Sequence, residues 1–258
     1  MGPQSSRNTI ASVLKQAEAA GVESAWIVDH IAIPPDEAEG SGGRYLDPLT
    51  SLAWMAGQTQ SILIGTSVLI LPYRPKLPTA KAIATIQELS GERLLLGVGI
   101  GWMDPEFQAL GVDRHRRGRL SDETLAFLHE CFDNDIVTAN DQRFLFKPRP
   151  ARPPIYIGGS APHAIDRALK YGDGWLPMGH LDKIAPQIRQ YHERSEASQG
   201  KPGEVVTFAT LPEGDVDRAR EMISRYSAAG VTRIIIGRTY ESAKDWAPTF
   251  ELLSALNS

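Results

Sequence analysis

Arg93-Leu94-Leu95-Leu96-Gly97-Val98-Gly99-Ile100-Gly101-Trp102 decides how the rest of the chain reads. An apolar run too short for a typical helix and bounded by turn-forming residues reads as a fully buried strand. The glycines that close it indicate either a tight strand-to-helix turn or a group that comes close to the backbone. A dinucleotide fingerprint needs glycine where Trp102 stands, so the three glycines do not complete one. Similar strand ends recur along the chain, and that recurrence gives the stretch its meaning.

The chain has 258 residues, 27 Lys plus Arg and 31 Asp plus Glu, for a net charge of −4. A mildly acidic chain has no global attraction to nucleic acid or to an anionic membrane, and neither is expected as a partner. Its 42% hydrophobic and 22% charged residues are ordinary for a soluble globular protein. Cys131 is the only cysteine, which excludes an intrachain disulfide and any multi-cysteine metal site. It lies in a helical pattern and reads as a core residue. No apolar run approaches membrane-spanning length, and no signal-peptide pattern is present, so the cytoplasm is the expected location.

Outward from the opening strand, helix and strand alternate. Asn8 can cap a helix from Thr9 to about Ala20, and Ser24-Ala25-Trp26-Ile27-Val28 reads as a buried strand running into Asp29-His30. A long loop to about Tyr45 follows; such loops are usually functional or mobile. Asp47-Pro48 opens the next helix, with Asp47 as cap. Residues 62–71 form a strand and 77–89 a helix whose alanines suit close packing. Residues 103–118 form a loop or short helix, in which Glu106 reads as a helix-start residue. The Arg114, Arg116, Arg117 and Arg119 run reads as a solvated or ion-paired helix entry. Ser121 is a plausible cap for a helix to about Phe132. Residues 133–153 form an excursion, with Phe144 and Phe146 alternating as in a hairpin. Strands at 155–160, 174–178, 205–210 and 233–236 then alternate with helices near 162–170, 183–198, 215–229 and 242–256.

Regular alternation of this kind over one domain, 1–258, indicates a parallel sheet covered by helices. Seven strands are counted and the chain begins on a helix, so either a TIM (β/α)8-type barrel lacks its first N-terminal strand or the sheet is open. In a parallel barrel the loops after the strands share one face, and the active site lies there. Those positions carry Asp29 and His30, then Thr66, Ser67 and Val68, then Gly99, Gly101 and Trp102. Later strands add Gly158-Gly159-Ser160 at a helix start, and Trp175. Glycines before a helix N-terminus suit a phosphate. Together these strand ends suggest a flat cofactor with a phosphate tail.

The chain resembles the luciferase-like monooxygenase superfamily of flavin and deazaflavin oxidoreductases. The resemblance is carried by Ala17–Gly21 through Asp29-His30, Tyr45–Leu49, Ile64–Arg74, Leu89–Arg93 through Gly101-Trp102, Glu106-Phe107, Ala109–Gly111 and Arg117–Arg119. It continues through Pro154–Gly159 and Gly172–Pro177. The chain looks most like the branch using the deazaflavin coenzyme F-420. That resemblance implies a barrel with an excursion, frequently a homodimer, and a non-prolyl cis peptide at Ser67-Val68 backing the tricyclic ring. It implies a phosphate at Gly158-Gly159-Ser160, with Asp29 and His30 beside ring and substrate. One departure is the missing first strand, which leaves two strand edges unpaired. Another is Trp102, which stands where some sugar-oxidising relatives carry glutamate.

The function expected from this resemblance is hydride transfer between F-420 and a small organic substrate. His30 would protonate, deprotonate or orient a substrate oxygen, and Trp102 and Trp175 would wall the pocket. The alternatives are an FMN-dependent luciferase-like monooxygenase and a non-catalytic or degenerate cofactor-binding barrel. No metal site is expected.

Overall fold

Ser6, rather than Asn8, starts the first helix. Its hydroxyl accepts the Thr9 N–H at 3.2 Å, and α1 runs over Arg7–Ala19. Both residue types cap well; the chain uses the earlier one and takes Asn8 into the first turn. The structure, a computed structural model, describes residues 1–256. Among the described residues no strand precedes α1. The first strand, β1 (Ser24–Ile27), is only half-buried, not buried as its apolar run suggests.

The chain divides into two compact units, one of Met1–Pro3 and Ile27–Pro154, the other of Gln4–Trp26 and the residues from Ile155 onward. In the first unit, Asp47 caps α2 (Pro48–Gln58), accepting the Thr50 N–H at 2.8 Å with Pro48 in the first turn. Next come β2 (Leu63–Ile70), α3 (Lys76–Leu89) and β3 (Leu94–Gly99). β2 and β3 are parallel, and β3 is buried throughout, as its sequence indicates. Ala80 and Ala84 of α3 are fully buried.

The β2–β3 register decides the local geometry of the site. Thr66 faces Leu96, but Leu69 faces Val98, so β2 carries one extra residue there, a bulge. The Ser67-Val68 peptide within it is cis, as the family resemblance implies. This accounts for Gly99 and Gly101 of the opening stretch. A Cβ on Gly99 would stand 2.5 Å from the Val68 Cγ2. Gly101 has φ +78°, and a Cβ there would stand 2.9 Å from the Ile70 Cγ2. The close approach is made by the chain's own bulge.

The first unit continues with α4 (Asp104–Ala109), α5 (Arg117–Asp133) and the antiparallel hairpin β4 (Ile136–Ala139) with β5 (Gln142–Leu145). Ser121 is not the cap of α5. It lies one turn inside the helix, its hydroxyl donating to the Arg117 carbonyl at 2.9 Å. Arg114 pairs with Asp104 at 2.6 Å, in keeping with an ion-paired helix entry. Cys131 is fully buried in α5, and burial pushes its thiol pKa up to about 12.

In the second unit, β6 (Ile155–Gly158), β7 (Gly174–Leu176), β8 (Glu204–Ala209) and β9 (Arg233–Ile236) lie side by side, parallel and in chain order. They alternate with α6 (His163–Tyr171), α7 (Leu181–Gln199), α8 (Val216–Ala228) and a last helix, α9 (Ala247–Leu256). Tyr156, Trp175 and Tyr191 are its largest fully buried side chains. Arg233, at the start of β9, donates to both Glu23 oxygens at 2.8 Å and to the Tyr156 hydroxyl at 2.8 Å. Parallel strands alternating with helices define the α/β class that the sequence indicates. No described helix is long and apolar enough to cross a membrane.

Candidate active site

Asp29 and His30 follow β1 directly, and the first unit builds two hydrogen-bonded centres on them. Asp29 is almost fully buried and faces Arg74, which stands just beyond β2. The guanidinium donates to one carboxylate oxygen at 2.5 Å and to the other at 2.9 Å, and the Ile70 N–H donates at 2.8 Å. Arg74 also reaches Asp47 at 2.9 Å. Burial raises the Asp29 pKa above its ordinary value, and Arg74 with the Ile70 N–H opposes that rise without cancelling it. Asp29, expected to be catalytic, has both oxygens engaged by Arg74 and the Ile70 N–H at the end of β2.

The second centre is Glu106, in the first turn of α4. It is a helix-start residue, as its position suggests, but that is not its main role. It is 0% exposed, and both oxygens accept hydrogen bonds. Oε1 accepts the Ile31 N–H at 2.6 Å and the Ala32 N–H at 3.0 Å; Oε2 meets the His30 Nδ1 and the Tyr73 hydroxyl, each at 2.9 Å. No Lys or Arg pairs with it among the described ion pairs. Burial pushes its pKa up, but the hydrogen bonds from Ala32, Ile31, His30 and Tyr73 outweigh burial and leave it below the ordinary Glu value. Burial and then the bond to Glu106 push the Tyr73 phenol upward, so it remains a donor. Glu106 is the residue sequence reasoning missed.

The direction of the Glu106 shift has a measurable consequence. Folding lowers this pKa, so near the ordinary Glu value the unfolded chain binds more protons and stability rises with pH. The contribution is complete above the ordinary value of 4.5 and is lost as pH falls through the depressed folded value. The difference in unfolding free energy between wild type and Glu106→Gln is therefore expected to shrink as pH falls below 4.5. A difference that stays flat across the acid range contradicts this.

Aromatic rings flank His30. The Tyr45 ring lies 4.8 Å away and the Trp102 ring 6.3 Å away, edge to face. Trp102 is 61% exposed, unusual for so large an apolar side chain. Thr66, by contrast, is fully buried and donates to the Gly97 carbonyl at 2.7 Å, which anchors β2 just before the bulge. Contacts run continuously through this unit: Gly99 against Val68, Gly101 against Ile70 and Phe107, Phe107 against Tyr73, and Tyr73 to Glu106 and His30. The first unit therefore brings together Asp29, His30, Val68, Gly99, Gly101 and Trp102, with Ser67 in the bulge next to Val68.

The second unit, taken by itself, contains the turn expected to hold a phosphate. Gly158 ends β6 buried, while Gly159 and Ser160 are exposed before α6. Trp175 is 0% exposed, and its indole N–H donates to the Gly159 carbonyl at 3.0 Å. It props this turn from below, a correction to its expected place in a pocket wall. The groups that bury it, β7 and the ring of Tyr191, are part of the core.

A fold of parallel strands and helices with a cis bulge and a His–Glu pair whose carboxylate is buried defines a class, and comparison with known proteins identifies it. Residues 1–255 match the model of the luciferase-like monooxygenase family, and the chain belongs to that family. The F420-dependent glucose-6-phosphate dehydrogenase of Amycolatopsis mediterranei is 28% identical over 80% of this chain and 66% of its own length. Among solved structures, an F420-dependent secondary alcohol dehydrogenase in complex with an F420-acetone adduct has a TM-score of 0.76 at 14% identity, covering 96% of this chain and 94% of its own. The FMN-bound oxygenating constituent of 3,6-diketocamphane monooxygenase from Pseudomonas putida has a TM-score of 0.78 at 14% identity, covering 98% of this chain and 93% of its own. The fold is of the TIM-barrel type shared by these enzymes, with seven strands in the main sheet and two in the hairpin among the described residues.

Proposed function

We propose that this protein is an F-420-dependent oxidoreductase that transfers a hydride between the deazaflavin and a small organic substrate, with His30 handling the accompanying proton. The observation that carries the reading is the His30–Glu106 pair, a proton-transfer group fixed from behind by a buried carboxylate. The F420-dependent relative, at 28% identity, supports the choice of coenzyme. The residues present fit a planar ring: Trp102 offers an exposed aromatic face, and Ser67 and Val68 present a half-buried bulge. When bound, the deazaflavin supplies the hydride-carrying carbon. The chain's own part is to orient the substrate oxygen at His30 and to limit water there with Tyr45 and Trp102.

Titration of the protein with F-420 and with FMN, followed by absorbance and fluorescence, is expected to show tighter binding of F-420. A panel of alcohols and ketones is then expected to show turnover, falling about 100-fold or more in His30→Ala. Preference for FMN, with oxygen consumed in turnover, would establish instead the monooxygenase reading that the FMN-bound structural neighbour favours. Failure to bind either cofactor overturns both.

A further inference from the structure

Glu106 does more than fill a buried position, because its two oxygens have different partners. Among the described residues, Oε1 accepts from the Ile31 and Ala32 N–H groups, and Oε2 meets the His30 Nδ1 and the Tyr73 hydroxyl. A backbone N–H always donates, and an ionised carboxylate only accepts. The hydrogen bond between His30 and Glu106 therefore requires the proton on Nδ1. We propose that Glu106 is a positioning residue that holds neutral His30 in its Nδ1–H tautomer and so presents the Nε2 lone pair to the substrate. This rests on the proton-transfer role given to His30 above. When a substrate hydroxyl gives its proton to Nε2, the O–H bond breaks, the electron pair stays on oxygen, and an N–H bond forms. The positive charge that then develops on the ring faces the Glu106 carboxylate at 2.9 Å. Among the described residues no other carboxylate pairs with His30, and Asp29 is engaged by Arg74 and Ile70.

The same geometry dictates what a Glu106→Gln substitution does. Two backbone N–H groups demand an acceptor at the Oε1 position, so the amide oxygen goes there. The NH2 then falls at the Oε2 position and donates to Nδ1. The tautomer inverts, and Nε2 carries the proton that it must be free to accept.

The test is 15N NMR of the full-length chain labelled at histidine, at a pH where the imidazole is neutral, with the His30 signals identified by their loss in His30→Gln. Wild type is expected to show the proton on Nδ1, and Glu106→Gln to show it on Nε2. Turnover in Glu106→Gln is expected to fall about 100-fold or more with the fold intact. Tyr73→Phe removes a donor from Oε2 but leaves the carboxylate, so it is expected to retain the wild-type tautomer; this arm stands if Glu106→Gln does not fold. A wild-type proton on Nε2, an unchanged tautomer in folded Glu106→Gln, or an inverted one in Tyr73→Phe overturns the proposal. An Nδ1 proton in a protein that binds no F-420 removes the functional reading and leaves the positioning role standing.

Discussion

Glu106→Ala is expected to lower folding stability by about 3–5 kcal/mol in urea unfolding. The truncation removes the acceptor of four donors at once. The Ile31 and Ala32 N–H groups and the Tyr73 hydroxyl stay in place without partners. A buried donor left unsatisfied costs about 1–3 kcal/mol, and water entering the new cavity offsets part of that sum. Glu106→Gln keeps an oxygen toward the two backbone donors, so its cost is expected to be less than half as large. A loss below about 1 kcal/mol for the alanine variant would show that these donors find other partners easily, and the description of Glu106 as the centre of the site would fail.

Arg74→Met is expected to cost about 3–5 kcal/mol for a different reason. It removes the counter-ion of a buried carboxylate and leaves the methylene stem in place. Asp29 would keep only the Ile70 N–H, in a site that already raises its pKa by burial. Asp29→Asn in the same chain removes the stranded charge and is expected to restore part of the loss. The coupling energy from the four chains, measured by denaturation, should exceed about 1 kcal/mol. Additive effects would mean that Asp29 and Arg74 do not depend on each other, contrary to their two-point contact.

How far the sequence discloses these centres depends on how local their causes are. Asp47-Pro48 is a helix start because cap and proline act within one turn, and the structure places both as the residues suggest. The apolar run Leu94–Leu96 reads directly as buried strand. The cis bulge at Ser67-Val68 has no local signal in its residues and was legible only through family resemblance. Glu106 was readable only as an acid in a helix's first turn, which it is. Its partners at positions 30, 31, 32 and 73 lie far away in the chain, and no spacing rule brings them together. The apolar composition of Ser24–Val28 does not reveal that the strand it forms is only half-buried. Ser6 and Asn8 are both good caps on local terms, and α5 starts at Arg117 with no side-chain cap, so residue type alone does not place either helix start.

Cys131 gives this chain an internal clock. Thiol reagents attack the thiolate, and here the thiol is both sealed inside α5 and reluctant to ionise. With no second cysteine to compete, the appearance of labelled protein counts openings of the α5 interior one molecule at a time. Cofactor or substrate that tightens the molecule slows that count, so ligands can be ranked by how long they delay the label, before any reaction has been found for them.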